Sequence, residues 1–484
     1  MQLANQGCPS WRMIVQQEFS KEVLRRLPLA EAVLFLWCFV CEKAALDDIF
    51  DRHRGRCYED QLSFPVLVNL IADALLEDSG SGRKSFQRGR EKGELKVSIV
   101  SAYGKLKRLP AAVSEAFLAE GTDRMLQVLP AKALHVLPPS LRAFALTFLD
   151  GKVVKRVPKR LKPLRGLKGG VLGGKGLAAL DGASGLVVAM ATSPDGDVND
   201  AKLVPDLVAM VQQRRQNILW IGDRQFCDLM QPQAFAGREG DHFLVRYHPK
   251  VKFRLDASVP ARTGVDAQGR SYVEDWGWLG AKSNKHARYV RRITLKRPGE
   301  ETLILITDLI DAETYPAVDL LEAYRMRWTI ERVFQQITEV FNLQCLIGTT
   351  PQGTLFQLAF CLLLYNMIQL IRAYVAEDAN EEVGAISTEL LFDDVRRQLI
   401  ALHETLEVTE VVSLIPGGLT AAKVSERLTA ILSNVWTERW RKAPSKRQQP
   451  QDWKANERTH NSAYRVIMEA RLKKNTQPNA APKC

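Results

Sequence analysis

The sequence predicts a mixed α/β fold in which a strand-rich centre lies between two helical regions. Up to about residue 145, apolar residues recur at helical spacing, as in VLVNLIADALLE and AAVSEAFLAE. From there to about residue 300, short apolar runs alternate with Gly, Asp and Pro turn signals. Long helical patterns then return and continue to about residue 435.

The chain has 484 residues, enough for several domains, and its 46% hydrophobic and 25% charged residues are those of an ordinary globular protein. The formal net charge of +12 favours a polyanionic partner without naming one. The N-terminus lacks a basic stretch followed by an apolar core, so no export signal is read. The longest apolar run, Leu355 to Ile371, is interrupted by Gln357, Tyr365, Asn366 and Gln369. It reads as a buried helix rather than a membrane span. The eight cysteines are dispersed, as reduced thiols are. Cys38, Cys41, His53 and Cys57 have ligand types suited to zinc, but the first two lie in an apolar helical pattern without a glycine knuckle, and a structural role is expected.

Along the centre, LRAFALTFLDGKVVKRV reads as a strand ending near Asp150. Two apolar runs flank DGASG as a hairpin, and NDAKLVPDLVAMVQQRR follows as a helix capped near Asn199 or Asp200. NILWIGDRQF is a short buried strand ending at Asp223, and DHFLVRY is another. A β-rich insertion is expected at 247–300, and ETLILITDLI returns to the sheet. YRMRWTIERVFQQI then reads as a helix with Tyr324, Arg327 and Glu331 on one face. Before the helices, SGRKSFQRGREKGELK reads as a surface loop. This order of elements is consistent with a ribonuclease H-like α/β core.

Asp150 and Asp223 at strand ends, with Glu331 on a later helix, form a candidate acidic constellation. Three converging carboxylates could hold two divalent ions at the carboxyl end of an open sheet. Spacing alone is a weak signal, because an Asp at a strand end is most often a turn former. Asp181 competes for the first place, but its Asp-Gly setting fits a hairpin turn.

The residues YRMRWTIERVF resemble the Y-x2-R-x3-E-x6-K signature of IS4-type DDE transposases, with Tyr324, Arg327 and Glu331 in register. IGDRQF resembles the family's second aspartate block and LDGKVVK its first. The resemblance spans roughly 145 to 375 and is most specific in its last block. It implies a ribonuclease H-like catalytic core in which Asp150, Asp223 and Glu331 ligate two Mg2+ ions, with Mn2+ able to substitute. Tyr324 and Arg327 would contact DNA phosphate near the scissile bond, and Arg224, beside Asp223, would also bind DNA. The activity implied is cut-and-paste transposition: cleavage at element ends, hairpin intermediates, and joining of 3′ ends to target DNA. The partners implied are double-stranded DNA with terminal inverted repeats, target DNA and a second copy of the chain, in the bacterial cytoplasm at the nucleoid, with no membrane. The signature lysine is replaced by Thr338. That departure keeps two other readings open: a DNA-binding relative impaired in catalysis, and a metal-dependent nuclease without strand transfer.

Lys152 to Lys175 holds nine Lys or Arg and no acidic residue. Lys155, Arg156, Lys159, Arg160 and Lys162 are the expected phosphate contacts. Trp276 and Trp278 are expected to face opposite ways on a strand, one packed and the other free to stack on a flipped base, as the resemblance implies. The expected divisions are a helical N-terminal region at 1–145, core segments at 146–246 and 301–375 around the insertion at 247–300, and a helical, basic region at 376–484; the resemblance implies DNA-end recognition for the first and dimerisation for the last. Its last part, Arg439 to Lys474, carries eleven basic residues against three acidic ones and reads as a partly ordered tail.

Overall fold

The computed structural model describes residues 11–57, 61–76, 80–155, 157–297, 299, 301–341, 343–406, 414–415, 417–443 and 460–476. Seven helices come first: α1 Trp11–Arg26, α2 Pro28–Val40, α3 Lys43–His53, α4 Phe64–Leu76, α5 Gly82–Glu91, α6 Ile99–Arg108 and α7 Ala111–Leu126. The stretch expected as a basic loop is α5. Ser81 caps it by accepting from the Lys84 N–H, and Ser85, Phe86 and Gly89 bury one narrow stripe. The density of charge on the remaining face conceals that stripe in the sequence.

Strands β1 Ala145–Val153, β2 Gly170–Leu172, β3 Lys175–Asp181 and β4 Val187–Ser193 follow, then α8 Val204–Gln212, β5 Ile218–Gly222, the short α9 Gln231–Phe235 and β6 His242–Arg246. The expected hairpin is β3–β4, closed around Asp181. The expected insertion contains β7 Phe253–Leu255, β8 Arg262–Val265, β9 Ser271–Leu279 and β10 Arg288–Leu295, and β11 Leu303–Thr307 follows. All but β2 join one mixed sheet in the order β4-β3-β1-β5-β6-β11-β10-β9-β7, with β8 pairing with β9. Pairing is parallel only along β1-β5-β6. Through β10–β11 the strands of 247–300 continue the central sheet.

Helices α10 Ala317–Met326, α11 Trp328–Glu339, α12 Pro351–Asp378, α13 Thr388–Thr405 and α14 Ala421–Leu432 complete the middle of the chain. The apolar window of α12 is long enough to cross a membrane by length and composition, but all of it is buried inside the fold. One of its interrupting polar residues, Asn366, serves the edge of β4, as Glu115 of α7 also does. Asn366 accepts from the Val187 N–H (2.9 Å) and donates to the Val187 carbonyl (2.9 Å) and Thr122 Oγ1 (2.8 Å). Glu115 accepts from the Thr192 N–H (2.7 Å). Both thereby satisfy the outer edge of β4, which would otherwise present unpaired backbone groups.

Of the basic C-terminal segment, β12 His460–Ser462 pairs in parallel with β2, and α15 Ala463–Thr476 follows. Residues 444–459 lie outside the described residues.

Side-chain alternation splits the sheet's two faces between two cores. Leu146 and Phe148 of β1, with Leu219 and Ile221 of β5, join a large core shared with α2, α4, α7, α11 and α12. Leu149, Ile218 and Trp220 point the other way, onto Val204 and Leu207 of α8.

Candidate active site

β1 and β5 are parallel with Phe148 opposite Ile221, so two residues further on Asp150 and Asp223 stand level. β5 and β6 are parallel with Gly222 opposite Val245, which puts Arg246 level with Asp223 in turn. Alternation aims all three side chains toward the large core, because Phe148, Ile221 and Leu244 belong to it. Three neighbouring parallel strands thus finish in a row of Asp150, Asp223 and Arg246, at the end of the sheet where ligands bind in open α/β folds. β1 runs on to Val153, past the expected end, because its pairing with β3 continues to Val153 opposite Lys175.

The expected single helix around Tyr324 is interrupted at Arg327. There the N–H of Arg327 bonds to the Tyr324 carbonyl and the N–H of Ile330 to the Arg327 carbonyl, a tight three-residue spacing. The three side chains still meet. The Arg327 guanidinium lies 5.6 Å from the Tyr324 ring centre and 5.4 Å from that of Trp328, and it donates to Glu331 Oε1 at 2.8 Å. Tyr324 and Arg327 are both buried. They reach the outside through a cavity of about 440 Å³ that is also lined by Arg246, Arg270, Arg297 and Trp328. Trp328 is 57% exposed.

Burial pushes Asp150 up to about 6, against the Gly151 N–H, which donates to Oδ1 at 2.8 Å, and the charge of Arg327; Glu331 and Asp200 add repulsion. Burial likewise pushes the Tyr324 hydroxyl up to about 12, partly offset by Arg327. For Arg327 burial opposes the charge, but Tyr324, Glu331 and Asp223 outweigh it and hold its pKa above the ordinary arginine value. Asp223 Oδ1 is buried without a hydrogen-bond partner.

Among the described residues no three His, Cys, Asp or Glu side chains stand close enough to hold a metal ion. Asp150 and Asp223 are adjacent, while Glu331 is engaged by Arg327, which supplies the positive charge these carboxylates require. The donors nonetheless suit a hard divalent cation: three carboxylates, one with an orphaned buried oxygen and one whose ionised form is held back by burial.

The shift of Asp150 has a stability consequence. An unfolded aspartate titrates near 3.9, so between about pH 4 and 6 the folded chain binds more protons and stability falls as pH rises. In EDTA at about pH 8, Asp150→Asn is expected to be about 1–3 kcal/mol more stable to urea than the parent. The difference should vanish below about pH 4; equal stability at both pH values would refute the burial argument.

Asp181 stands opposite Thr147, well back along β1 from Asp150. It accepts from the Ser184 N–H at 2.8 Å and pairs with Arg215, so it serves the hairpin turn. Thr338 donates to its own helix at the Phe334 carbonyl (2.6 Å). Lys152, which the sequence marks only as the start of the basic run, reaches the same carbonyl from β1 at 3.1 Å and lies over the Phe334 ring. A cation therefore stands beside position 338 although the residue there is neutral.

Lys155, Arg160 and Lys162 are exposed, whereas Lys159 is half-buried and its ammonium donates to the Leu167 carbonyl inside the loop. Arg156 lies outside the described residues. Arg224 is paired with Glu301. The opposite facing expected of Trp276 and Trp278 is incorrect, because residues two apart on a strand share a face. Trp276 is 5% exposed and its Nε1 donates to the Ile310 carbonyl (3.0 Å), while Trp278 is 41% exposed and packs edge-on against Tyr289.

Fold and site together define a mixed-sheet domain with acidic residues at its parallel strand ends. Residues 146–367 match the family model described as a transposase DDE domain, which bears out the resemblance to DDE transposases read from the signature. A relative from Sinorhizobium fredii (strain NBRC 101917 / NGR234), described as "Putative transposase y4zB", is 25% identical over 179 residues. That alignment takes in 36% of this chain and 47% of the relative, so the chain spans about half the length of the curated relative it matches.

Proposed function

We propose that the chain is a cut-and-paste DNA transposase acting through Asp150, Asp223 and Glu331. The observation that carries this reading is the level placement of Asp150 and Asp223 at the ends of β1 and β5, with Glu331 near enough to raise the proton affinity of Asp150. The sheet order β4-β3-β1-β5-β6, antiparallel then parallel, supports a ribonuclease H-like core.

The three carboxylates would hold two divalent ions, with Mg2+ favoured by all-oxygen ligation. Bound there, the ions supply charge stabilisation at the attacking and leaving oxygens of an in-line displacement at phosphorus. Within the chain, Arg327 holds Glu331 in position until the cation site fills. The Tyr324 hydroxyl stays protonated at neutral pH and serves as a hydrogen-bond donor to phosphate. The exposed cations of the 155–162 loop carry the flanking DNA. Water is the first nucleophile, and DNA hydroxyls follow in hairpin formation and strand transfer. Joining two ends in one complex calls for a dimer.

Lys152 supplies the charge that the family signature places at position 338. Lys152→Gln is expected to slow cleavage about 10- to 100-fold, a loss typical of a single positioned charge. Adding Thr338→Lys should restore part of it. Unchanged cleavage in Lys152→Gln would remove Lys152 from the mechanism.

The reading as a whole is tested by incubating purified chain with a labelled duplex carrying the terminal repeat that flanks its gene, with and without Mg2+. Magnesium-dependent nicks followed by hairpins are expected. Binding without cleavage in either Mg2+ or Mn2+ would favour the DNA-binding relative, and nicking without hairpins or joined products would favour the simple nuclease.

A further inference from the structure

Arg246 ends β6 level with Asp223, and Arg224 directly follows Asp223 in the chain. Both guanidinium groups converge on one carboxylate, that of Glu301 in the β10–β11 connection. Glu301 Oε1 accepts from Arg224 Nη2 at 2.8 Å, and Oε2 accepts from Arg224 Nη2 at 3.1 Å and from Arg246 Nη2 at 2.6 Å. The two sides of this contact differ in character. The Arg246 side chain is 22% exposed and anchored on a central strand, whereas that of Glu301 is 66% exposed. Two arginines beside a row of acidic strand ends, bridged by the carboxylate of an exposed residue, are arranged as an anion seat with an intramolecular occupant.

We propose that Arg224 and Arg246 form a phosphodiester seat beside the catalytic carboxylates, which Glu301 fills in the DNA-free chain and yields to a backbone phosphate when DNA binds. The inference rests on the DNA-cleaving reading above and adds to it the place where the strand next to the scissile phosphate is gripped.

The chemistry favours the exchange. A carboxylate and a phosphodiester each offer two oxygens to the planar donors of arginine, and neither guanidinium can lose its charge to accommodate an empty seat. Glu301 returns to water at little cost, because an exposed ion pair contributes little stability. The phosphate takes over the contacts to both arginines that Glu301 gives up. Arg246 also lines the cavity that exposes Tyr324 and Arg327, so a strand entering there meets the seat and the buried pair along one wall.

The test is fluorescence anisotropy with a labelled duplex of random sequence, in EDTA so that no cleavage intervenes. Glu301→Gln is expected to bind about five-fold tighter than the parent. Arg246→Ala should bind about ten-fold weaker, with the slope of log affinity against log salt reduced by about one. Arg246→Lys, which keeps charge but not the fork, should fall between and guards against a folding defect. In an Arg224→Ala/Arg246→Ala background the gain from Glu301→Gln should disappear. Unchanged affinity in Glu301→Gln would overturn the seat. So would a gain that persists without the two arginines, since that would be a general effect of removing a negative charge. A chain that shows this pattern but never cuts DNA would leave the seat standing and sink the cleavage reading.

Discussion

Asp223→Asn is expected to lower metal-dependent DNA cleavage by about 10³-fold or more, because a ligand that helps place divalent charge at the reacting phosphate contributes several kcal/mol. The substitution is nearly isosteric. Asp223 Oδ1 is buried and accepts no hydrogen bond, so the fold has little to lose by its replacement. Folding and metal-free DNA binding should therefore survive, and the defect should lie in turnover. The measurement is single-turnover cleavage of a pre-bound duplex over a series of Mg2+ and Mn2+ concentrations, beside Glu331→Gln. Glu331 is already paired with Arg327 at 2.8 Å, so its loss also frees a buried guanidinium and should disturb DNA binding as well as cleavage. Asp223→Asn cutting within ten-fold of the parent would remove Asp223 from the site.

Much of this geometry was legible in the chain because it depends on local pattern. WIGD reads as a buried strand with its carboxylate at the exit, and the three- and four-residue spacing of Tyr324, Arg327 and Glu331 brings their side chains together even though the helix tightens at Arg327. What escaped depends on long-range register. Arg246 becomes a neighbour of Asp223 only because Gly222 pairs with Val245 across twenty-two intervening residues. Nothing in FLVRY itself announces that alignment. Lys152 gained significance only when α11 docked on β1 and brought the Phe334 carbonyl within 3.1 Å of its ammonium. For the two tryptophans the strand was anticipated but its periodicity misapplied. Their unequal burial comes from what covers each position: Trp276 is held beneath the Ile310 carbonyl, whereas Trp278 packs edge-on against Tyr289 and stays 41% exposed.

Gly151→Ala should produce the largest stability loss for the smallest chemical change. Gly151 alternates away from Asp150 and faces the second core, where a Cβ would fall 2.2 Å from Asp200 Oδ2. Asp200 cannot retreat freely: it pairs with Lys175 of β3 and accepts from Gln225 Nε2 at 2.8 Å. A methyl group forced into such a contact typically costs about 1–3 kcal/mol. The displacement would also be felt at the site, since Gln225 lies two residues beyond Asp223 and Gly151 donates its N–H to Asp150. Urea unfolding should show the loss, and cleavage at a denaturant-free temperature well below the transition should fall too, because Asp150 and Asp223 no longer stand level. Asp200→Ala removes the obstructing carboxylate but leaves Lys175, whose side chain is only 14% exposed, without its acidic partner. It should therefore be destabilising alone. The double variant Gly151→Ala/Asp200→Ala should lose less than the sum of the two, by about 1 kcal/mol or more for residues in direct contact. Strict additivity would mean that Asp200 does not limit position 151.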